Sequence, residues 1–164
     1  MALPALLAAA RGMPRVRATE AIAASAVRDA AAHARATRTP RRVAGAAERS
    51  VWDSVYTAEQ ATRGQAAYNR TCARCHQPAL GGADQSPALI GSAFLGNWNG
   101  LTLGAMHERI RTSMPTDDPG TYGRQHIADV MAYVLKVNGF PAGAVELPKE
   151  SEALLEIRFQ ASKP

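Results

Sequence analysis

Both cysteines of this chain fall within one short stretch, TCARCHQPAL, at residues 71–80. Cys72, Cys75 and His76 stand at i, i+3 and i+4, so one helical turn brings all three side chains to the same side. Few chemistries use cysteines at this spacing. A structural zinc site needs four ligands, and beyond this stretch the chain offers only His33, His107 and His126, with no second C-x-x-C. A thioredoxin-like dithiol follows a strand within a βαβ pattern, whereas here a helical pattern precedes the motif.

The remaining chemistry fits the spacing. Two thiols on one turn can form thioether bonds to the two vinyl groups of a haem, and the adjacent imidazole then stands beneath the iron as its proximal ligand. C-x-x-C-H reads in this way as a c-type haem attachment site. The residues therefore predict one covalent haem c, attached through Cys72 and Cys75, with His76 on the iron.

The rest of the chain divides unevenly around that motif. Residues 1–50 contain eighteen alanines, no Lys, no Cys and no aromatic residue, and their nine Arg face only Glu20, Asp29 and Glu48. The net charge of this segment is +6, and that of residues 51–164 is −1. The whole-chain value of +5 thus describes the N-terminal segment and gives no warrant for nucleic-acid binding by the domain behind it. Ala23 to Ala36 suit a helix by propensity, but there is little to bury, so residues 1–50 read as an Ala/Arg-rich extension that is loosely attached or disordered. Its start, MALPALLAAA, has the apolar stretch of a signal peptide without a positive residue ahead of it. A transit peptide and a start nearer Met13 stay open beside it. No run reaches the roughly eighteen apolar residues of a membrane-spanning helix.

From about Trp52 the pattern is helical. TAEQATRGQAAYNR opens with a capping box, Thr57 as N-cap and Gln60 three residues on, and predicts a helix to about Asn69. A loop rich in Gly and Pro follows, from Gln77 to about Gly100. LTLGAMHERIRTSMP places Leu103, Met106, Ile110 and Met114 at helical spacing, stopped by Pro115. TDDPGTYG is a turn, and RQHIADVMAYVLKVNG is the strongest helix, with Ile127, Val130, Met131 and Val134 on one face and Gly139 as its stop. A short helix from Glu150 to about Glu156 closes the chain. There is no strand pattern, so the fold class is all-α.

In this order of parts, residues 57–138 resemble a class I mono-haem c-type cytochrome: a first helix, the haem motif, an irregular loop, a Met followed by Pro, and a last helix. The tail VNGFPAGAVELP is similar to cytochromes that accompany quinoprotein dehydrogenases. The resemblance implies a cytochrome c-like fold of three to five short helices around one haem, with residues 51–164 as the domain. It implies Met114, in TSMPTDD and 38 residues beyond His76, as the distal ligand. Met106 and Met131 lie on apolar helix faces, where Met is usually core packing. His107 and His126 are rivals for the iron, but their polar neighbours suit solvent-exposed or capping roles. The resemblance further implies that Pro87 offers its carbonyl to the His76 ring and that Trp98 bonds a haem propionate. Leu89, Phe94, Leu95, Leu103 and Ile110 are candidates for the pocket wall. Gly64 and Tyr68, with Tyr133 opposite, match the family's contact between first and last helices.

A thioether on the distal side closes the iron and makes an electron carrier, whereas an open side permits oxygen or peroxide chemistry. The expected function is electron transfer in a respiratory chain, between a dehydrogenase donor and an oxidase or cytochrome acceptor, rather than catalysis. The alternatives are a haem enzyme or gas sensor with a displaceable sixth ligand, and an electron-transfer subunit of a dehydrogenase complex. The family attaches haem outside the bacterial cytoplasmic membrane, so the periplasm is the expected compartment.

Overall fold

The computed structural model describes residues 49–164, and the expectations for residues 1–48 lie outside them. The described residues form six helices and one two-stranded sheet: β1 (Arg49–Ser50), α1 (Ala58–Thr71), α2 (Ala73–His76), α3 (Gly91–Trp98), α4 (Leu103–Ser113), α5 (Arg124–Val137), α6 (Ser151–Leu154) and β2 (Ile157–Arg158). The architecture is all-α, as the sequence predicts, with one helix more than expected. The addition is α3, which sits inside what reads as a continuous loop. No described helix is long and apolar enough to cross a membrane.

The small parallel sheet also goes unread in the sequence, because two residues per strand are too few to show alternation. Arg49 pairs with Ile157 and Ser50 with Arg158. Arg49 and Ser50, counted in the extension by composition, are thus held by the end of the chain. The indole of Trp52 adds a hydrogen bond to the Gln160 carbonyl, 3.0 Å away.

Helix α1 starts where the Thr57 hydroxyl accepts the Gln60 N–H at 3.1 Å, satisfying one of the free donors of the first turn. The reciprocal half of the capping box does not form. The Gln60 side chain is instead fully buried and clasps the Leu147 backbone in both directions, at 3.0 and 2.7 Å. Tyr56 donates to the Phe140 carbonyl at 2.6 Å. Together these bonds fasten the segment after α5 against the entry to α1.

The core forms between α1 and α5. Gln60, Ala61, Gly64, Ala67 and Tyr68 share the buried face of α1, and residues 127–135 of α5 are all buried. A Cβ on Gly64 would lie 1.8 Å from the Asp129 carbonyl oxygen and 3.0 Å from Tyr133 Cβ, so only glycine admits this approach. The Tyr68 and Tyr133 rings meet beside it with centroids 5.5 Å apart. The Asp129 carboxylate, also buried, is held by Gln125 at 2.8 Å and by Arg63, which reaches on to Glu146 at 2.7 Å.

Aromatic residues are few, yet all three Phe and both Trp of the chain join one row of ring contacts. Trp52 meets Phe140 at 4.8 Å, Phe140 meets Phe159 at 5.2 Å, Phe159 meets Phe94 at 5.9 Å, and Phe94 meets Trp98 at 6.4 Å. This row carries the core from the sheet to α3.

Gly64→Ala should lower stability by about 2–3 kcal/mol, because the added methyl forces the two helices apart. Urea unfolding of the variant beside the parent chain measures it. Equal midpoints would mean that α1 and α5 do not meet at Gly64.

Candidate metal centre

The last turn of α1 runs directly into α2, so the first helix aims the motif. The Cys72 N–H bonds the Tyr68 carbonyl at 2.8 Å, and the N–H groups of Cys75 and His76 both return to the Cys72 carbonyl, at 3.2 and 3.0 Å. One tight turn therefore carries Cys72, Cys75 and His76, as the spacing predicts. Both thiols are free, Cys72 half-buried and Cys75 exposed. Burial pushes the Cys72 thiol above its usual value, so it stays protonated at neutral pH. Tyr68 fixes the exit of the motif by donating to the Gln77 carbonyl at 2.7 Å, and its phenol, sealed in the core, is pushed up to about 12 chiefly by burial.

The loop after the motif folds back on it. The Gly82 N–H bonds the His76 carbonyl at 3.0 Å, Ala83 and Ser86 exchange backbone bonds of 3.0 and 2.8 Å, and the Leu89 N–H bonds the Leu80 carbonyl at 2.8 Å. Gly82 has φ +71, and a Cβ there would stand 2.4 Å from the Ser86 carbonyl oxygen and 2.6 Å from the Ala88 nitrogen. Glycine thus allows residues 86–88 to lie against the turn. The outcome is a 2.8 Å contact between His76 Nδ1 and the Pro87 carbonyl oxygen. A carbonyl only accepts, so Nδ1 carries the proton and Nε2 keeps its lone pair for a metal.

His76 lines a cavity of about 520 Å³, within the range of roughly 300–1,000 Å³ typical of cofactor sites. Cys72, Cys75, Pro87, Trp98 and Met114 line it as well. All six candidate residues from the sequence thus face one space. Met114 stands at the C-cap of α4 in extended conformation, joined to Pro115 by a cis peptide bond. Of the candidate wall residues, Leu89, Phe94 and Ile110 line the cavity, whereas Leu103 is sealed in the core and Leu95 packs against it.

Three corrections concern the other sulfur and imidazole groups. Met106 and Met131 are core residues, as expected, but they also face the cavity. Met114 is the one among these three methionines that is only half-buried, lying on the wall rather than within the core. His107 is fully buried rather than solvent-exposed and does not line the cavity. It faces α6, with Nδ1 3.2 Å from the Ser151 hydroxyl, while Nε2 makes no hydrogen bond among the described residues. The polar residues around it in sequence point elsewhere, and α6 covers it. His126 is half-buried and lines the cavity, stacked on Tyr122 with ring centroids 4.7 Å apart. Its Nε2 lies 3.2 Å from the Thr71 hydroxyl, which is 3.3 Å from the Cys72 sulfur.

These residues fit a haem. Two thiols and an imidazole with a free Nε2 stand on one turn, a thioether stands on the wall, and aliphatic and aromatic side chains fill the rest. Among the described residues no Asp or Glu lines the cavity, whereas Arg74 and Arg109 do. Arg74 already meets Asp117 at 2.6 Å, which leaves Arg109 as the wall cation suited to a ligand that carries carboxylates. Arg109 went unread in the sequence, where nothing separates it from other surface arginines. Zinc fits worse, since among the described residues no group of three or more His, Cys, Asp or Glu gathers to hold an ion.

Residues 59–134, from the first turn of α1 through most of α5, match the family described as cytochrome C oxidase, cbb3-type, subunit III. No curated protein matches the chain. Among solved structures, the sulfane dehydrogenase SoxCD from Paracoccus pantotrophus is similar at 17% identity and a TM-score of 0.42, over 66% of this chain. This chain spans 61% of the length of that one.

Burial holds the His107 imidazole below its usual value of 6.5, and burial followed by the charge of Arg70 does the same for His126. A base whose folded value is depressed contributes stability that is complete above the unfolded value and is lost as pH falls below it. Stability should therefore fall from about pH 6.5 towards pH 5, and His107→Leu should flatten part of that fall. Urea midpoints across this range provide the check, and an unchanged slope in the variant would contradict the burial of a neutral His107.

Proposed function

We propose that this c-type cytochrome is a one-electron carrier, with one haem attached through Cys72 and Cys75 and its iron closed between His76 Nε2 and the Met114 thioether. The observation that carries the proposal is the 2.8 Å contact of His76 Nδ1 with the Pro87 carbonyl, on the wall of a cavity that Met114 also lines. When bound, the haem supplies a single iron that alternates between ferrous and ferric states.

The chain's own residues orient, enclose and tune. The Pro87 carbonyl fixes the tautomer and plane of the proximal ring and raises its basicity. With a neutral thioether and an imidazole as its ligands, the iron would favour the ferrous state and so a high potential, which suits a carrier that accepts electrons readily. Phe94, Ile110 and Val130 keep water from the cavity walls, and low polarity acts on the potential in the same direction. Trp98 and Arg109 are the donors available to the haem carboxylates. Among the described residues the Trp98 indole N–H has no protein acceptor, which supports that role for it.

In this reading the donor is a dehydrogenase and the acceptor an oxidase or another cytochrome of a respiratory chain. The matching family, described as an oxidase subunit, supports a respiratory setting. It supports equally a place as the electron-transfer subunit of a larger complex, with the same chemistry at the iron. The periplasm is the compartment this function implies, because haem is attached to such motifs on that side of the membrane. A haem enzyme or gas sensor would need a displaceable sixth ligand. Met114 at the C-cap, followed by Pro115, supports closure instead.

Met114→Ala should lower the midpoint potential, abolish the sulfur-to-ferric-iron band in the red and let the ferrous protein bind carbon monoxide. Met106→Ala and Met131→Ala should keep the band and leave the ferrous protein closed to carbon monoxide, while costing about 2–5 kcal/mol of stability as core truncations. Potentiometry and absorption spectra of the three variants decide the matter. An unchanged band and potential in Met114→Ala would show that another residue closes the iron.

A further inference from the structure

Arg74 lies between the two cysteines, at a position where the haem motif accepts any residue. Its Nη2 meets both carboxylate oxygens of Asp117, at 2.6 and 2.7 Å. Asp117 belongs to the loop that follows Met114. That loop is closed on itself, with the Asp118 N–H on the Pro115 carbonyl at 3.1 Å and the Gly120 N–H on the Met114 carbonyl at 3.4 Å. Among the described residues, the two bonds to Arg74 are the only side-chain hydrogen bonds that tie residues 114–120 to another element. Arg74, Cys75, Pro115 and Thr116 all line the cavity, so the pair sits at its rim.

We propose that the Arg74–Asp117 ion pair positions Met114, as a brace between the loop that carries the thioether and the turn that carries both thiols and His76. This rests on the assignment of Met114 to the iron. A loop closed on itself swings as a unit, and the brace joins that unit across 43 residues of sequence to the attachment turn. With the brace made, the thioether is held at the cavity. With it broken, the loop departs more often and an outside ligand competes for the iron. Both partners are more than half exposed, at 54% and 61%, so water and salt weaken the pair. The brace therefore tunes closure rather than deciding it, and Arg74 and Asp117 are positioning residues.

Imidazole binding to the ferric, haem-loaded full chain, followed by absorbance, tests this. Asp117→Asn and Arg74→Gln should each bind imidazole about two- to five-fold more tightly than the parent at low ionic strength. In about 1 M salt, where the Debye length is about 3 Å, the parent should approach them. Exchanging the charges in the Arg74→Asp, Asp117→Arg double variant should restore the parent's affinity. Single variants that bind as the parent does, or a double variant no better than the singles, would overturn the brace. Met114→Ala is the reference and should bind imidazole far more tightly than any of these. If it instead matches the parent, the ligand assignment itself fails, which is a different result from loss of the brace alone.

Discussion

The close approach of α1 and α5 at Gly64 is the constraint from which the site follows. With the Asp129 carbonyl where a Cβ would stand, the two helices meet backbone to backbone. Tyr68 is then buried against Tyr133, and its hydroxyl is left one partner, the Gln77 carbonyl just past the motif. The same contact sets α5 so that Ile127, Val130, Met131 and Val134 form a wall facing the attachment turn. A residue larger than glycine at position 64 would displace the packing that aims the motif and the wall that faces it.

Positioning of the imidazole has a second source, the loop that glycine allows at position 82. That backbone conformation brings residues 86–88 against the turn, and Asn138 at the end of α5 holds the Leu89 carbonyl at 2.9 Å. The loop is thus pinned at one end by the motif and at the other by the last long helix. The His76–Pro87 contact stands between these two anchors, so the ring orientation rests on packing and not on a single bond. The proposed distal closure rests on less. Met114 leaves its helix in extended conformation, and its loop is tied to the attachment turn by one exposed ion pair. In the proposed site, the His76 side is thus held by more contacts than the Met114 side.

Much of this was legible in the sequence because its signals are local. The Cys72, Cys75 and His76 spacing, the Thr57 cap and the apolar periods of α4 and α5 each lie within one or two helical turns. Helix α3 was hidden because Gly91 and Gly96 lower helix propensity, and its apolar residues make too short a run to show a period. The role of His107 was misread because its polar neighbours in sequence say nothing of α6, which arrives more than forty residues later to cover it. Met106 and Met131 were read as core and are core, but in a protein this small the core wall is also the cavity wall. Gly82 looked like one more loop glycine, since only the assembled loop shows what would stand at its Cβ. Pro87 entered through resemblance alone. No local pattern marks one proline carbonyl as an acceptor.

The account depends most on covalent attachment at Cys72 and Cys75. The direct measurement is the intact mass of the purified chain after denaturation in acidified organic solvent, taken with a haemochrome spectrum of the same sample. The account predicts a chain heavier by one haem, with a spectrum typical of two thioether bonds. A chain at the mass of the polypeptide alone, with its haem in the organic extract, would contradict it.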